Sequence, residues 1–405
     1  MNFMKIGMFK VGYDLSYQNM VSGTIKRALK IQFSSLLTKK RLISICLCLL
    51  AFISPAISAD IKIQSLPPLP DKEGFAGMFA GQCGNYFLAA GGANFPVGYP
   101  WEGGKKRWYS NIYAISIKKP DKWQKLQLSL PKAMGYGVCG SWHGKLIIAG
   151  GESGPAPGEP ADKPAIILNQ VFAIQEENNQ FSLAPLPALS KPLKDACGTV
   201  VGDLFIVFGG IDNPNATSAS SELFILNLNH PEKGWQKGPA LPAAGRIQAV
   251  AATDNTNFIL FSGIEITADA TGKPARKMPY LQDAWRIKCQ PDITKSAWAR
   301  LPDLPAECAA APSPAWSLAD HRIVIAGGAD SACHRLPQKD HPGWSGDLII
   351  FDSLKEKWEI KPGIFAPFQS KVTATGLNFK GNYLIFSGEK SPGRRSPEIL
   401  QLSIP

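Results

Sequence analysis

The chain has 405 residues, of which 45% are hydrophobic and 33 are proline, and its formal net charge is +11. Eight Lys or Arg residues and one Asp lie within residues 1–59, so the rest of the chain has 35 basic and 31 acidic residues and a net charge of +4. This composition suits a turn-rich globular protein with an ample core, and a single all-β domain can be this long. Nucleic acid is not expected as a partner, because no Lys/Arg cluster is interleaved with aromatic residues.

Residues 1–59 are predicted to be a signal peptide, or leader. A basic triplet at 39–41 precedes the apolar run 42–53, and small residues follow it, which is the arrangement of a secretory signal with its cleavage zone. The apolar run is short for a bilayer-spanning helix. We therefore expect an exported, periplasmic protein that begins near Asp60 and has no membrane anchor after cleavage. Met20 is an alternative start of the leader.

An apolar run that ends in a glycine pair recurs through the rest of the chain. Four copies end in Gly-Gly and two in Ser-Gly. The penultimate residues of the six copies are 91, 150, 209, 262, 327 and 387, at intervals of 59, 59, 53, 65 and 60 residues. Such a period indicates one structural unit repeated six times.

Each unit contains further short runs in a constant order. A polar segment after the glycine pair leads to a second apolar run, such as Ile112–Ile115 or Leu348–Phe351, and an aromatic residue such as Trp123 then opens a third run that a Leu-Pro pair closes. Runs of this kind, bounded by Gly, Pro, Asn and Asp, are strands and turns. With four strands per unit, the sequence predicts an all-β, six-bladed β-propeller over residues 60–405. Glycine pairs followed by spaced aromatic residues resemble Kelch repeats, so we expect a Kelch-type propeller.

The two ends of this region predict how the ring closes. The sixth unit ends after its third strand, which contains Ile399–Leu402, and therefore lacks a fourth. The segment Ile61–Pro70 has the form of that missing strand, since it is apolar and ends in Leu-Pro. We expect the N-terminal strand to complete the last blade, which removes open strand edges.

One face of the predicted propeller is more elaborate than the other. When four strands alternate in direction, the loop after each glycine pair lies on the same face as the loop that leads into the next blade. The loops after the glycine pairs are long and polar, whereas the turns at 142–144, 201–203 and 380–382 are tight. Binding residues usually collect on long loops of a rigid scaffold. Cations and a few carboxylates on this face indicate a site for a small anionic sugar.

The candidate residues on this face each have a simpler interpretation as well. Glu389, Arg394 and Arg395 share one loop of the last unit, but charged loop residues are most often solvated. Arg246 lies at the mouth of a loop that leads into the next blade and could bind a ligand there, or its side chain extends over the rim of a blade. The remaining candidates lie in the loop of the first unit: Asn94, Glu102, Lys105 and Lys106. The charged residues could line the binding site or belong to an ordinary charged loop, and the asparagine could bind a ligand or cap a turn.

Cysteines and histidines give weaker signals. Six cysteines follow the leader, and an even number in an exported protein permits disulfides, although buried free thiols are an equal alternative. The absence of a Cys-x-x-Cys motif after the leader argues against a zinc or redox site. The five histidines are scattered, and His143 and His321 are expected in tight turns on the opposite face. Metal catalysis is therefore not predicted.

Several segments resemble the N-acetylneuraminate epimerases, or sialic acid mutarotases. The similar segments are Gly74–Gly81, Gly91–Pro96, Trp101–Lys106, Arg246–Ala249 and Ser387–Arg395. The order of the segments differs from that of the better-known periplasmic members, where the Glu/Arg segment lies mid-chain and leads into the Phe-Ala-Gly blade. The resemblance is therefore to a cyclically permuted branch of this family.

The resemblance implies an isomerase that exchanges the α and β anomers of N-acetylneuraminic acid without a cofactor. In this family the glutamate that matches Glu389 is the proposed proton acceptor, and the arginine that matches Arg395 is its partner. The alternative interpretation is a non-catalytic, exported Kelch propeller that binds glycans or proteins, because a fold alone does not determine a function.

Overall fold

The computed structural model describes residues 61–404, which form six four-stranded antiparallel sheets. Five sheets are each built from four consecutive main strands, and the sixth takes its outermost strand from the N-terminal segment. The strands of the six blades, innermost first, are Phe79–Cys83, Tyr86–Ala90, Asn111–Ser116 and Gln124–Ser129; Val138–Trp142, Lys145–Ala149, Val171–Glu177 and Gln180–Leu186; Cys197–Val201, Leu204–Phe208, Leu223–Asn227 and Gln236–Lys237; Val250–Thr253, Asn257–Phe261, Ala284–Lys288 and Trp298–Leu301; Trp316–Ser317, Arg322–Ala326, Leu348–Asp352 and Lys357–Lys361; Thr375–Phe379, Asn382–Phe386, Ile399–Ser403 and Lys62–Leu66.

Shorter elements lie in the loops between these strands. Most of the short strands follow a glycine pair, which agrees with the expectation that one face is elaborated. The short strands are Ala93–Asn94, Arg107–Trp108, Met134–Gly135, Glu152–Ser153, Ile166–Ile167, Ile266–Ala268, Pro274–Arg276, Glu389–Ser391 and Arg394–Arg395. The helical turns are Ser331–His334 (α) and Pro100–Glu102, Pro231–Lys233, Ile293–Lys295 and Gln338–Asp340 (3₁₀). No helix within residues 61–404 is long and apolar enough to cross a membrane.

The apolar core is divided among the junctions between blades. Six buried clusters each combine side chains of two neighbouring blades. The cluster between the sixth and first blades contains Phe386 and Ile399 of the sixth blade and Ala80 and Phe87 of the first. Burying one large aliphatic or aromatic side chain stabilises a fold by about 1.5–3 kcal/mol. The blades are therefore held together face to face, and the last contacts the first as the others contact their neighbours.

The backbone conformation explains the recurring glycine pairs. The first residue of each pair has φ between +54° and +74°, a left-handed conformation that Ser262 and Ser387 also adopt. The second residue has φ between +84° and +115° and is glycine in all six copies. A side chain is disfavoured at such angles. The first position therefore tolerates substitution, whereas the second does not.

A closed ring of backbone hydrogen bonds joins all six blades at the mouth of the central channel. Six residues form it, each donating its N–H to the carbonyl of the preceding one at 2.7–2.9 Å: Gly77, Tyr136, Asp195, Gln248, Ala310 and Thr373, and Gly77 in turn donates to Thr373. All six have positive φ, from +49° to +63°. The channel beside this ring is lined by residues at or just before the first strand of each blade, such as Val138, Cys197 and Ala249.

Tryptophans that open the outermost strands link neighbouring blades on the outside. Trp235, Trp298 and Trp358 each donate their indole N–H to a proline carbonyl of the preceding blade, at 2.7–3.0 Å. Trp123 makes the same bond, at 2.8 Å, with Pro67 in the N-terminal segment. The N-terminal segment therefore occupies the place that the outermost strand takes in the other junctions.

The N-terminal strand pairs with the last strand along its whole length. The register runs antiparallel from Lys62 opposite Ser403 to Leu66 opposite Ile399. Leu69 is buried in the junction core between the sixth and first blades. The structure thus has the strand pairing that the sequence predicted, and the all-β, Kelch-type fold is confirmed. The predicted leader, residues 1–59, lies outside the described residues, so its boundary at 59 stays a prediction.

We predict that a chain truncated to begin at Asp71 melts far below the chain that begins at residue 60. The truncation removes the whole strand Lys62–Leu66, its ladder and the buried Leu69, and it leaves the edge of Ile399–Ser403 unpaired. Thermal unfolding followed by circular dichroism measures the difference. A truncated chain that melts within a few degrees of the longer one contradicts this account of closure.

Candidate active site

Glu389 and Arg395 face each other across a tight hairpin on the elaborated face. Glu389–Ser391 pairs with Arg394–Arg395, and Glu389 is the register partner of Arg395. The Arg395 guanidinium donates from Nη1 to Glu389 Oε2. The Glu389 side chain is 17% exposed and that of Arg395 is 6% exposed, so the pair is largely shielded from water but accessible to a ligand. The structure therefore brings the two predicted catalytic residues into direct contact.

This hairpin is fixed next to the channel mouth. Glu389 forms an isolated antiparallel bridge with Val372, which directly precedes the ring residue Thr373. The backbone carbonyl of Glu389 accepts a hydrogen bond from Trp344 Nε1 at 2.8 Å. The Arg395 guanidinium carbon lies 5.1 Å from the centre of the Phe95 ring, which comes from the loop of the first blade. The pair thus lies where the sixth and first blades meet.

Arg395 retains unused hydrogen-bonding capacity. Its Nε is buried, and no acceptor for it exists among residues 61–404. A buried donor without a partner costs about 1–3 kcal/mol, and a ligand or water that supplies an acceptor removes this cost. The planar guanidinium binds carboxylates through two nitrogens. The arrangement can therefore hold an anionic ligand beside the Glu389 carboxylate.

Arg394 lies over an aromatic pair in the neighbouring loop. Its guanidinium carbon is 5.5 Å from the ring centre of Tyr99 and 5.2 Å from that of Trp101, and these two rings stack 4.7 Å apart. Its Nη2 donates to the carbonyl of Lys339 at 2.9 Å. Arg394 therefore holds three loops together, and Tyr99, Trp101 and Arg394 are all partly exposed.

Asn94 and Glu102 are engaged in local structure. Asn94 is fully buried, and its Nδ2 donates to Asp71 Oδ1 at 3.1 Å and to the carbonyl of Gly74 at 2.9 Å. Burial raises the pKa of Asp71, and hydrogen bonds from Glu73, Gly74 and Asn94 offset part of that rise. Glu102 is exposed, and its Oε2 accepts from the backbone N–H of Tyr99 at 2.9 Å. In these positions Asn94 holds the start of the first blade and Glu102 caps a 3₁₀ turn.

Arg246 is held in a buried ion pair. Its side chain is 0% exposed, and it donates to both carboxylate oxygens of Asp283, at 2.5 and 2.9 Å. Further bonds run to the carbonyls of Ser262 and Ala244. Burial opposes ionisation of Asp283, but the Arg246 guanidinium outweighs it and holds the pKa below its ordinary value. Arg246 stabilises the junction of the third and fourth blades, and a binding role would require it to leave this pair.

Sequence reasoning missed Glu152, the centre of a second charged cluster on the same face. Glu152 directly follows the glycine pair of the second blade and is 10% exposed at its side chain. Lys194 Nζ lies 2.5 Å from Glu152 Oε1, and Lys106 Nζ lies 3.8 Å from Oε2. Glu152 could have been predicted from the repeat, because it directly follows the glycine pair of its blade as Glu389 does in the last blade. Lys105, next to Lys106, is exposed.

All six cysteines between residues 61 and 404 are free thiols, so the structure supports the thiol alternative. Cys83, Cys139, Cys197, Cys289 and Cys308 are buried, and burial raises the pKa of the Cys83 and Cys197 thiols to about 12. These thiols therefore stay protonated and pack as small apolar groups.

His143 and His321 lie in tight turns with positive φ, as expected from the sequence. Within residues 61–404, no group of three or more His, Cys, Asp and Glu side chains is placed to hold a metal ion.

Comparison with known proteins confirms the predicted resemblance. The chain is similar to N-acetylneuraminate epimerase of Brucella melitensis, with 35% identity over 250 residues, which cover 54% of this chain and 58% of the relative. It is also 31% identical to the Haemophilus influenzae epimerase over 107 residues, which cover 23% of this chain and 28% of the relative. The matched segments thus span a quarter to somewhat over half of these relatives. No family model matches the chain.

A solved structure supports the fold independently. The structure of YjhT superposes on 84% of this chain and on 97% of its own length with a TM-score of 0.61, at 14% sequence identity. At that identity the likeness concerns the fold alone. The cyclic order of the blades relative to these proteins stays a prediction.

We predict that Asp283→Asn destabilises the protein by about 3–5 kcal/mol at neutral pH, because it leaves the buried Arg246 charge unpaired. The pKa of Asp283 is lowered in the folded state. Its contribution is therefore complete above the ordinary value of 3.8 and is lost as the pH falls through the folded-state pKa. Urea unfolding at several pH values measures this, and the gap between the two proteins should narrow in acid.

Asp303→Asn is the matched control for this prediction. Asp303 also pairs with an arginine, Arg300, but the two side chains are 64% and 48% exposed. Exposed pairs contribute little to stability. Equal effects of the two substitutions would contradict the structural role of the Arg246–Asp283 pair.

Proposed function

We propose that this protein is a cofactor-independent mutarotase that exchanges the α and β anomers of N-acetylneuraminic acid or a closely related 2-keto sugar acid. One observation carries the proposal: a shielded glutamate and arginine are in contact at the channel mouth, and the arginine has a buried N–H without an acceptor among the described residues. The similarity to proteins named N-acetylneuraminate epimerase supports the same reaction.

The reaction needs proton transfer at two oxygens of the sugar. Glu389 accepts the proton of the anomeric hydroxyl, and the electron pair of that O–H bond forms the ketone. The bond between the anomeric carbon and the ring oxygen breaks, its electrons go to the ring oxygen, and a proton from water completes the hydroxyl. Rotation of the open chain and the reverse steps give the other anomer, so no net redox change occurs.

Arg395 has two tasks in this scheme. Its Nη1 donates to Glu389 Oε2 and so orients the carboxylate that acts as the general base. Its remaining nitrogens bind the sugar carboxylate, which satisfies the buried Nε. Arg394 and Lys105 add positive charge on this face and favour an anionic substrate over a neutral one. We keep Asn94, Glu102 and Arg246 as proposed supports of the site rather than as direct ligands.

We predict that Glu389→Gln leaves sugar binding nearly intact while anomer exchange falls by about 10²–10⁴-fold, the usual cost of removing a general base. NMR of freshly dissolved sugar follows exchange, and ligand-observed titration follows binding. Glu359→Gln is the matched control, because Glu359 is an exposed glutamate on the outermost strand of the fifth blade. A Glu389→Gln protein that exchanges anomers at the wild-type rate rules out the mechanism.

Arg395→Ala should impair both steps. Loss of a charged hydrogen bond weakens binding by about 1.5–3 kcal/mol, and exchange should fall as well because Glu389 loses its partner. Arg395→Lys keeps the charge but not the planar fork, so it should recover only part of the binding. Wild-type affinity in Arg395→Ala contradicts a role in holding the carboxylate.

A glycan-binding module without activity is the alternative function. The stacked Tyr99 and Trp101 rings beneath Arg394 favour it, because aromatic surfaces commonly support sugars. The same NMR experiment separates the two functions. A wild-type protein that binds the sugar acid but leaves the exchange rate unchanged is a binding module.

We also propose that the protein is exported to the periplasm, on the evidence of the leader-like sequence in residues 1–59. The intact mass of protein recovered from the periplasm should correspond to a chain that begins near Asp60. Recovery of a chain that retains the apolar run 42–53 contradicts both cleavage and the lack of an anchor.

A further inference from the structure

The residue that follows the glycine pair occupies an equivalent position in every blade. In the sixth blade Glu389 pairs with Val372, next to the ring residue Thr373, and in the second blade Glu152 pairs with Gly135, next to Tyr136. The other four blades carry apolar residues here: Ala93, Ile211, Ile264 and Ala329. Two of the six equivalent positions are therefore acids, and both are bound to cations.

The two acids lie in the blades on either side of the first blade. Within the hydrogen-bonded ring, only Gly77 separates Thr373 from Tyr136, through bonds of 2.8 and 2.7 Å. Gly77 has φ +63°, and an added Cβ would lie 2.5 Å from the Tyr136 ring. Elsewhere on the same face, the fourth and fifth blades contribute Ile264 and Ala329 to a buried apolar cluster that reaches Val372 of the sixth blade. The polar sector of this face thus runs from the sixth blade across the first to the second.

The cluster around Glu152 combines hydrogen-bond donors, acceptors and an aromatic surface. Lys194 and Lys106 hold the carboxylate and are 17% and 29% exposed. Lys106 Nζ also lies 4.1 Å from the ring centre of Tyr136 and 4.4 Å from that of Trp108. Burial lowers the pKa of Lys194, but Asp195 and Glu152 outweigh it and hold that pKa above its ordinary value. The ammonium group therefore stays charged and is largely but not wholly covered.

Trp108 gives an independent indication of a ligand. It is 7% exposed, and its Nε1 donor has no acceptor among residues 61–404. Its ring is fixed by Gly154, where an added Cβ would lie 2.4 Å from Trp108 Cε3. Buried indole N–H groups usually have a hydrogen-bond partner. An unpaired one beside Lys106 indicates that a further group completes this cluster.

The charges distinguish this cluster from the Glu389 hairpin. Lys106 and Lys194 balance Glu152 and Asp195, whereas the hairpin carries Lys390, Arg394 and Arg395 with one glutamate. A carboxylate is therefore favoured at the hairpin. Hydroxyl groups both donate and accept, so adjacent hydroxyls suit the Glu152 cluster, which offers carboxylate acceptors and ammonium and indole donors.

We propose that Glu152, Lys194, Lys106 and Trp108 bind the polyhydroxylated side chain of the sugar acid while Arg395 binds its carboxylate. This assignment rests on the proposed function and makes the second blade a determinant of substrate length. Glu152 is a binding and positioning residue here, and Glu389 remains the base.

The test compares two sugars in Glu152→Gln and Lys106→Met proteins. One sugar is N-acetylneuraminic acid, with its three-carbon hydroxylated tail, and the other is a 2-keto sugar acid with the same ring and a tail shortened to one carbon. Loss of a charged hydrogen bond should raise KM for the long sugar about tenfold or more and leave kcat within about threefold. KM for the short sugar should change little, because that sugar never reaches the cluster.

Glu222→Gln is the matched control. Glu222 is also held between two lysines, Lys191 and Lys237, but on the third blade beside its outermost strand. It should change neither KM, and melting temperatures of all variants show whether folding is affected. An equal rise in KM for both sugars, or a loss confined to kcat or to the melting temperature, overturns the assignment.

Failure of the proposed function gives a different pattern. If the wild-type protein exchanges the anomers of neither sugar, the proposed mutarotase function is wrong. Equilibrium binding of the two sugars then tests the role of the second-blade cluster. Tighter wild-type binding of the long sugar, lost in Glu152→Gln, supports the cluster even so. Equal binding of both sugars, or of neither, overturns it.

Discussion

Six backbone hydrogen bonds around the channel mouth hold the blades in one cycle, and the position of every candidate residue depends on them. Each ring residue donates to one neighbour and accepts from the other, so no buried amide in the ring lacks a partner. The geometry requires positive φ at all six positions, including Tyr136, Gln248 and Thr373, which costs about 1–2 kcal/mol for each non-glycine residue. Such strain persists only where the surrounding structure enforces it, and here the six junction cores do so.

The ring also explains how one scaffold presents different chemistry in each blade. The residue after each glycine pair bridges to the residue just before the ring, as in Ala76 with Ala93 and Val372 with Glu389. Its backbone position is therefore set, whatever its side chain. In the fourth and fifth blades the residue after the glycine pair is apolar and is buried in a cluster. In the second and sixth blades it is Glu152 or Glu389, whose carboxylate is available to a polar ligand. The fold supplies the position and the residue supplies the function.

Local patterns predicted the fold well because the constraints are themselves local. The glycine pairs occur where the backbone has positive φ, a conformation that disfavours residues with a side chain. The spaced tryptophans occur where an indole N–H donates to a proline carbonyl of the preceding blade. The contact of Glu389 with Arg395 was also predictable, because they lie six positions apart in one hairpin. Partners far apart in the chain were not. Asp283, 37 residues from Arg246, neutralises it, and Lys194, 42 residues from Glu152, completes the second cluster.

One departure from the repeat occurs where the ring closes and the base lies. In the sixth blade Ser387 replaces the first glycine of the pair, and its hydroxyl accepts from the N–H of Phe75 at 2.8 Å. The same hydroxyl lies 2.6 Å from the carbonyl oxygen of Ser396. One side chain thus connects the loop that carries Glu389 and Arg395 to the chain entering the first blade. Gly74 permits this approach, because an added Cβ would lie 2.2 Å from the Ser396 backbone. Closure of the ring and alignment of the Glu389–Arg395 pair therefore depend on the same contacts, so a change that loosens the junction should also disturb the pair.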